Sequence, residues 1–269
     1  MPMDNPYLDL TRELNRGRLR ALISSGQAVV VHRLAIMSKD GDWILREDDE
    51  ATSHALEVLS RQGARYRFGA PLDPRWLAGG WSSHLEHQRQ GLRIRTDFVT
   101  RPPRISPEEL ARLWAEAEAE GSEVVGLEPL AAMKLTNREK DYAVVGELAR
   151  RMPDPRSQFL YSRSSRDLAR LADERPEALA EAIPRRPLLA RIPEGREALE
   201  AALDRERRVL MRANEERLER YQVAAEAWAE LWPEMTRRIA GLPLADAHRL
   251  LVSQAEGVLP FVPPAESDP

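Results

Sequence analysis

The sequence predicts an α+β fold, with strands and helices in the first 152 residues and helices alone after them. Three observations predict it. Residues 92–99 alternate between two sets of side chains as a half-buried strand does. From Pro153 on, prolines recur at short intervals, and no strand pattern is present in this part of the chain. We therefore expect a mixed domain over residues 1–152 and a helical domain over residues 153–269.

The first part of the chain combines helical and extended patterns. Leucines at roughly helical spacing predict a helix over residues 7–24. β-branched residues around Val29–Val31 and the stretch after Asp40 are strand-like. An acidic start and a terminal glycine predict a helix over residues 48–62, and residues 66–68 fit a short strand.

Helices dominate the rest of the chain. Ser106, followed by a proline and two glutamates, is typical of a helix start, so we expect a helix over 107–120 and a second over 127–152. Residues 194–240 are rich in Ala, Glu, Arg and Leu and predict one long helix, with a last helix near 243–256. The broken apolar stripe of the long helix favours packing in a bundle over partner binding.

Composition excludes several classes of protein. The chain is 42% hydrophobic, which suffices for a core, and its net charge of −4 argues against coating nucleic acid through bulk charge. It has no cysteine, so disulfides, thiolate zinc sites and cysteine nucleophiles are excluded. No apolar stretch approaches the ~18 residues of a membrane span, and no secretory signal pattern is present. We expect a cytoplasmic protein with no membrane segment.

Three aspartates form a candidate metal site. Asp40 and Asp42 are two residues apart and therefore share one face of an extended strand. Asp97 adds a carboxylate from a strand that is otherwise apolar and basic. Hard ions such as Mg²⁺ take oxygen ligands of this kind, and three carboxylates can hold two ions. The simpler interpretation of the Asp-Gly-Asp sequence is a solvated turn.

The surrounding sequence extends this pattern. Ser25-Gly26-Gln27-Ala28-x-x-x-His32 is followed, after a short spacer, by Ser38-Lys39-Asp40-Gly41-Asp42. A later strand carries the single Asp97, and Leu130–Lys134 and Asn137–Asp141 follow it. Over residues ~20–150 this order resembles the minimal and abortive-infection-type nucleotidyltransferases. That family has Gly-Gly-x-Ala-x-x-x-His, then Thr-Lys-Asp-x-Asp, a later strand aspartate and a Lys-rich helix.

The resemblance implies a nucleotidyltransferase-like fold, a small mixed sheet backed by helices. It implies transfer of a nucleoside monophosphate from an NTP to a hydroxyl of RNA, a protein or a small molecule. Asp40, Asp42 and Asp97 would be catalytic and would bind Mg²⁺, with two ions possible. The residues that would contact the nucleotide are Ser25, Gly26, Lys39, Lys134 and Lys140.

Two departures from the family pattern leave a second function open. Ser25 stands where the family has glycine, and residues 33–37 lack the family's Gly-Tyr-Pro-Arg. The alternative is a catalytically inactive module of the same fold, such as a toxin–antitoxin component with a cognate toxin or antitoxin as partner. A salt bridge from Arg93 or Arg95 that closes the site would favour this module.

Several other polar features have simpler interpretations. We interpret His32 as structural, and His84 and His87 as part of a polar surface. Gly79-Gly80 lacks the Lys-Ser/Thr of a P-loop and fits a hairpin or bulge better.

The strand that carries Asp97 also carries a basic face. The arginines concerned are Arg93, Arg95, Arg101 and Arg104. They form either an exposed strand face or a surface that guides a phosphate-bearing acceptor to the metal ions. The sequence leaves both interpretations open.

Overall fold

The computed structural model describes residues 5–263, which form an α+β fold with one five-stranded mixed sheet and many helices. The strands are β1 (Ala21–Ser24), β2 (Asp40–Leu45), β3 (Arg65–Gly69), β4 (Ser83–Arg89) and β5 (Leu92–Val99). Their order across the sheet is β1-β2-β5-β4-β3. β2 and β5 are parallel, and the other neighbouring pairs are antiparallel.

Helices precede, connect and follow the strands. Those that begin before residue 126 are α1 (Pro6–Leu14), α2 (Ser25–Val31), α3 (Asp49–Arg61), α4 (Pro74–Leu77) and α5 (Pro107–Glu120). The later ones are α6 (Leu127–Met133), α7 (Glu139–Arg151), α8 (Pro155–Tyr161), α9 (Ser165–Glu174), α10 (Pro176–Ala182), α11 (Arg196–Ala224), α12 (Glu226–Ile239) and α13 (Leu244–Ala255), with a 3₁₀ helix at Pro187–Glu194. Among the described residues beyond Pro153 there is no strand, as the sequence predicts.

The chain packs as two compact units. The first comprises the described residues up to Val125 and those from Glu219 on, and the second is Gly126–Leu218. This grouping differs from the predicted division after residue 152. α12 and α13 belong with the sheet because their apolar side chains join its core, namely Trp228, Met235, Leu244 and Leu251.

One face of the sheet forms the centre of that core. Trp43 on β2 is fully buried and stacks on Phe98 of β5, with ring centroids 5.4 Å apart. Its indole N–H donates to Thr11 Oγ1 at 2.9 Å, which ties α1 to the sheet. Gly41 must lack a side chain, because a Cβ there would lie 2.4 Å from Trp43 Cη2 and 2.5 Å from Tyr7 Cδ1.

Two predictions near the start of the chain are wrong. The helix predicted over residues 7–24 ends at Leu14, and Ala21–Ser24 are strand β1. The Asn15 side chain explains the turn between them: it accepts from the Ala21 N–H at 2.8 Å and donates to the Ala21 carbonyl at 2.9 Å. The strand-like Val29–Val31 belong to helix α2, because burial of Val29 against the sheet outweighs the β-propensity of valine.

Two long predicted helices are each divided in two. The helix expected over 127–152 is interrupted between α6 and α7, where Thr136 Oγ1 donates to Asp141 Oδ2 at 2.6 Å and so ties the connecting turn to the first turn of α7. The helix expected over 194–240 breaks at Ala225, between α11 and α12. Within residues 5–263, none of the helices combines the length and apolarity that a membrane crossing requires.

Candidate functional site

The three candidate aspartates lie on two neighbouring strands at the centre of the sheet. Asp42 of β2 and Asp97 of β5 are direct register partners in the parallel ladder. Asp40 precedes Asp42 by two residues and is the register partner of Arg95. Because register partners and alternate residues share a face, all three carboxylates lie on the face opposite Trp43. We call this the charged face of the sheet.

The carboxylate of Asp97 has two close neighbours, one of which is hydrogen-bonded to it. Arg67 Nη2 donates to Asp97 Oδ1 at 2.7 Å, and His84 Nδ1 lies 2.8 Å from the same oxygen. His84 is the register partner of Asp97 on β4, so its position follows from the strand pairing. All three side chains are largely buried, which makes this a more persistent contact than a surface ion pair.

Arg67 lies on the charged face because it follows Arg65, the register partner of Glu86, by two residues. Its guanidinium extends past β4 to Asp97. Tyr66 pairs with Leu85, but Phe68 pairs with His84, so the register shifts between Tyr66 and Phe68. This bulge places Phe68 beside His84 on the same face.

Asp40 is more accessible than Asp97. Its carboxylate lies 3.4 Å from Arg95 Nη1, and the two side chains are 41% and 37% exposed. Solvent screens such a pair, so it contributes little to stability. Tyr7, whose hydroxyl donates to the Lys39 carbonyl at 2.7 Å, has a pKa raised by burial and then by the negative charge of Asp40.

The turn at the start of α2 packs directly on the segment that enters β2. A Cβ on Gly26 would lie 2.2 Å from Ser38 Oγ, so only glycine allows this approach. Gln27 Nε2 donates to the Ser38 carbonyl at 3.0 Å, and Ser38 Oγ donates to the Asp40 carbonyl at 3.2 Å. Ser25 adopts a positive φ of 48°. The spacing between the Gly26 turn and Asp40 therefore has a structural basis.

The three candidate lysines occupy different environments. Lys39 is exposed next to Asp40 in the first unit. Lys134 belongs to the second unit, where it is buried with Nζ 3.6 Å from Asp141 Oδ1. Lys140, also in the second unit, is exposed on α7. The charge of Lys134 is thus neutralised within its own unit.

The histidines of β4 differ from their predicted surface role. Glu86 and His87 are buried on β4, where burial lowers the pKa of His87. His84 contacts Asp97 rather than solvent alone. His32, in contrast, has Nε2 2.8 Å from the Val125 carbonyl, as expected for a structural histidine.

Two further predicted features have local roles. Gly79 and Gly80 follow α4 rather than forming a hairpin turn, and a Cβ on Gly79 would lie 1.8 Å from the Phe261 carbonyl oxygen. In the basic strand, Arg93 pairs with Glu86 and Arg101 with Glu47. Each of these arginines is therefore paired with a carboxylate and is also partly exposed to solvent.

The donor set fits Mg²⁺ chemically, although it is not preassembled. Carboxylates on one sheet face are the ligands that Mg²⁺ prefers. Within residues 5–263, however, no group of three or more Asp, Glu, His or Cys side chains is already arranged to hold a metal ion. Asp97 accepts from Arg67, and Asp40 faces Arg95. A divalent ion would have to compete with these guanidinium groups for the carboxylate oxygens.

The charged face combines two kinds of binding group. Its carboxylates are ligands for a hard cation, and its guanidinium groups are donors suited to phosphate oxygens. Arg67 was not predicted at this site, because its proximity to Asp97 depends on strand pairing, whereas Arg95 shares the predicted basic face with Asp97. No protein-family model, curated protein or solved structure matches this chain.

Proposed function

We propose that this chain is a Mg²⁺-dependent transferase of the nucleotidyltransferase fold, which moves a nucleoside monophosphate from an NTP to a hydroxyl. The observation that carries the proposal is the direct pairing of Asp42 with Asp97, with Asp40 on the same face. The mixed five-stranded sheet is compatible with the fold that the sequence resemblance implies. RNA, a protein or a small molecule would supply the hydroxyl.

The proposed reaction assigns a task to each aspartate. The acceptor oxygen forms a bond to the α-phosphorus, the bond from that phosphorus to pyrophosphate breaks, and the hydroxyl proton is released. Asp97 would accept that proton or help to hold a second ion, and Asp40 and Asp42 would hold Mg²⁺. When bound, Mg²⁺ would neutralise phosphate charge.

The remaining nucleotide contacts come from the start of α2. The Ser25–Gly26 turn packs on Ser38, one residue before Lys39, so backbone N–H groups and an exposed ammonium lie beside the Asp40 segment. Lys134 and Lys140 stay predictions, since they belong to the second unit.

A specific observation favours a second candidate, a nucleotidyltransferase-fold module without turnover. Asp97 is held by Arg67 and His84, and Asp40 faces Arg95. If these contacts persist when nucleotide is present, the face binds nucleotide or a partner protein without assembling the metal site. Such a module would serve as a binding or regulatory component, for example with a toxin or antitoxin partner.

Thermal unfolding with each NTP, with and without Mg²⁺, tests the site. A ligand at about a hundred times its Kd adds ~2.7 kcal/mol and shifts the melting temperature by several degrees. We expect a shift that requires Mg²⁺ and is lost in Asp40→Asn/Asp42→Asn. Asp49→Asn, an exposed aspartate at the start of α3, is the matched control and should keep the shift.

Label transfer separates the two candidate functions. The protein is incubated with Mg²⁺ and NTPs labelled in the α-phosphate, together with total RNA and protein extracts. Transfer that depends on Asp42 and Asp97 supports the enzyme. A thermal shift that does not require Mg²⁺, without transfer, supports the module, and so does a folded protein that shows no shift with any NTP.

A further inference from the structure

A groove borders the charged face along β3, and one of its lining residues, Arg67, contacts Asp97. It has a volume of about 550 Å³ and is lined on one side by β3, β4 and β5 and on the other by the α12–α13 corner. We call it the β3 groove and define it by Arg65, Arg67, Phe68, Glu86, Arg93 and Ile239. All of these residues belong to the first unit. The groove thus joins apolar surface to a cluster of arginines.

Phe68 provides an aromatic surface in this groove. Its ring stacks on His84, with centroids 4.1 Å apart and planes inclined by 19°, while 47% of the residue is exposed. His84 in turn contacts Asp97. The ring lies on the edge strand β3 and lines the groove. An accessible aromatic ring of this kind is a surface on which a planar ligand can stack.

The strand that carries Phe68 is held firmly although it is an edge strand. Trp232 Nε1 donates to the Arg67 carbonyl at 3.1 Å, and Trp228 Nε1 donates to the Gly69 carbonyl at 2.9 Å. These bonds occupy the outer carbonyls on both sides of Phe68. A binding surface on this strand is therefore preorganised.

Two arginines of the groove share one buried carboxylate. Arg93 Nε donates to Glu86 Oε2 at 2.6 Å, and Arg65 Nη2 donates to Glu86 Oε1 at 2.9 Å. Glu86 is almost fully buried, whereas Arg65 and Arg93 are exposed. The pair carries a net positive charge of about one and presents further N–H donors to solvent, an arrangement suited to phosphate.

We propose that the β3 groove binds a nucleotide unit of the acceptor, with its base stacked on Phe68 and its phosphate on Arg65 and Arg93. This inference rests on the proposed function, because the sugar hydroxyl of that nucleotide must reach Asp97, which Arg67 of the groove contacts. It specifies the acceptor class as a nucleotide, either free or at the end of an RNA strand.

Binding without NTP tests the groove separately from the transfer site. The Asp40→Asn/Asp42→Asn protein, in EDTA, is titrated with AMP and UMP by calorimetry and with a fluorescently labelled eight-nucleotide RNA by anisotropy. We expect Phe68→Ala to weaken binding about tenfold, since loss of base stacking on an aromatic side chain has an effect of this order. Arg65→Ala/Arg93→Ala should weaken it at least as much and reduce its salt dependence.

Matched controls test whether these effects are local. Phe261→Ala removes another partly exposed ring, 41% exposed and also near an arginine, and should leave binding unchanged. Arg18→Ala removes an exposed arginine that likewise pairs with two carboxylate oxygens elsewhere in the first unit. Thermal unfolding of each variant without ligand verifies that it is folded.

The outcomes distinguish a free nucleotide from the end of an RNA strand, and the groove proposal from the proposed function. Tight binding of AMP or UMP that is lost in Phe68→Ala identifies a free nucleotide acceptor, and binding of RNA alone identifies a strand end. Absence of both, or binding that folded Phe68→Ala and Arg65→Ala/Arg93→Ala retain, overturns the inference. Transfer to a protein acceptor also overturns it if the Phe68→Ala variant carries out that transfer at the normal rate. A normal Mg²⁺-dependent NTP shift in Phe68→Ala shows that only the groove assignment has failed.

Discussion

The two faces of the central strands β2 and β5 differ in almost every physical property. On one face, Trp43 and Phe98 are fully buried and stacked on each other. On the other, Asp40, Asp42 and Asp97 are partly exposed and lie beside cationic side chains. The same backbone carries both sets, because successive strand residues point to opposite faces.

Because of this difference, neighbouring residues of one strand contribute either to the stability of the fold or to the binding of charged groups. Burial of an aromatic side chain stabilises the folded chain by several kcal/mol, whereas adjacent carboxylates repel one another unless cations are close. Arg67 and Arg95 provide those cations in the absence of a metal ion. Substitutions on the two faces should therefore have different consequences: those on the apolar face should reduce stability, and those on the charged face should alter binding.

The largest effect is expected from the apolar face. Trp43→Ala removes the stacking on Phe98 and the bond to Thr11, and should reduce the free energy of unfolding by about 3–5 kcal/mol. Asp42→Asn, the adjacent residue on the charged face, should change it by no more than about 1 kcal/mol. Urea denaturation of both variants measures this. Equal destabilisation by the two substitutions would contradict the separation of the faces.

A smaller effect is expected where a carboxylate of the charged face is buried. Burial raises the pKa of Glu86, but hydrogen bonds from Arg93 and Arg65 outweigh it and hold that pKa below its ordinary value of 4.5. The stabilisation by Glu86 is therefore present above the unfolded-state pKa and is lost as the pH falls through the folded-state pKa.

Replacing Glu86 makes this pH dependence measurable. Glu86→Gln should lower the free energy of unfolding by about 1–2 kcal/mol at neutral pH, because the arginines lose a charged acceptor. The difference from wild type should shrink as the pH is lowered from about 6 to about 3. Chemical denaturation across this range measures it, and a constant difference would contradict the role of the ionised carboxylate.

Local sequence patterns predicted the features that depend on alternation. Leu92 to Val99 alternate strictly, so the strand and the common face of Arg95 and Asp97 could be predicted, and the structure has both. The Asp40-Gly41-Asp42 spacing likewise placed two carboxylates on one face of a strand. These predictions need only the period of a strand and no knowledge of its neighbours.

Features that depend on contacts between distant residues could not be predicted. The strand after Leu14 requires the Asn15 side chain to bond Ala21, which leucine spacing does not indicate. The contact of Arg67 with Asp97 requires the order of β3, β4 and β5 in the sheet. Only strand pairing determines that order, so Arg67 was missing from the predicted site, whereas Arg95 was predicted on the face of Asp97.

The smallest change in stability, and the sharpest test of the charged face, is expected for Arg95. Arg95→Met removes a half-exposed ion pair with Asp40, so the free energy of unfolding should change by no more than about 1 kcal/mol. If Arg95 competes with Mg²⁺ for Asp40, the NTP-dependent thermal shift should then appear at a lower Mg²⁺ concentration. Arg101→Met, whose arginine binds Glu47, is the control and should leave that concentration unchanged. A shift that instead disappears in Arg95→Met would mean that this guanidinium binds the nucleotide directly rather than competing with Mg²⁺ for Asp40.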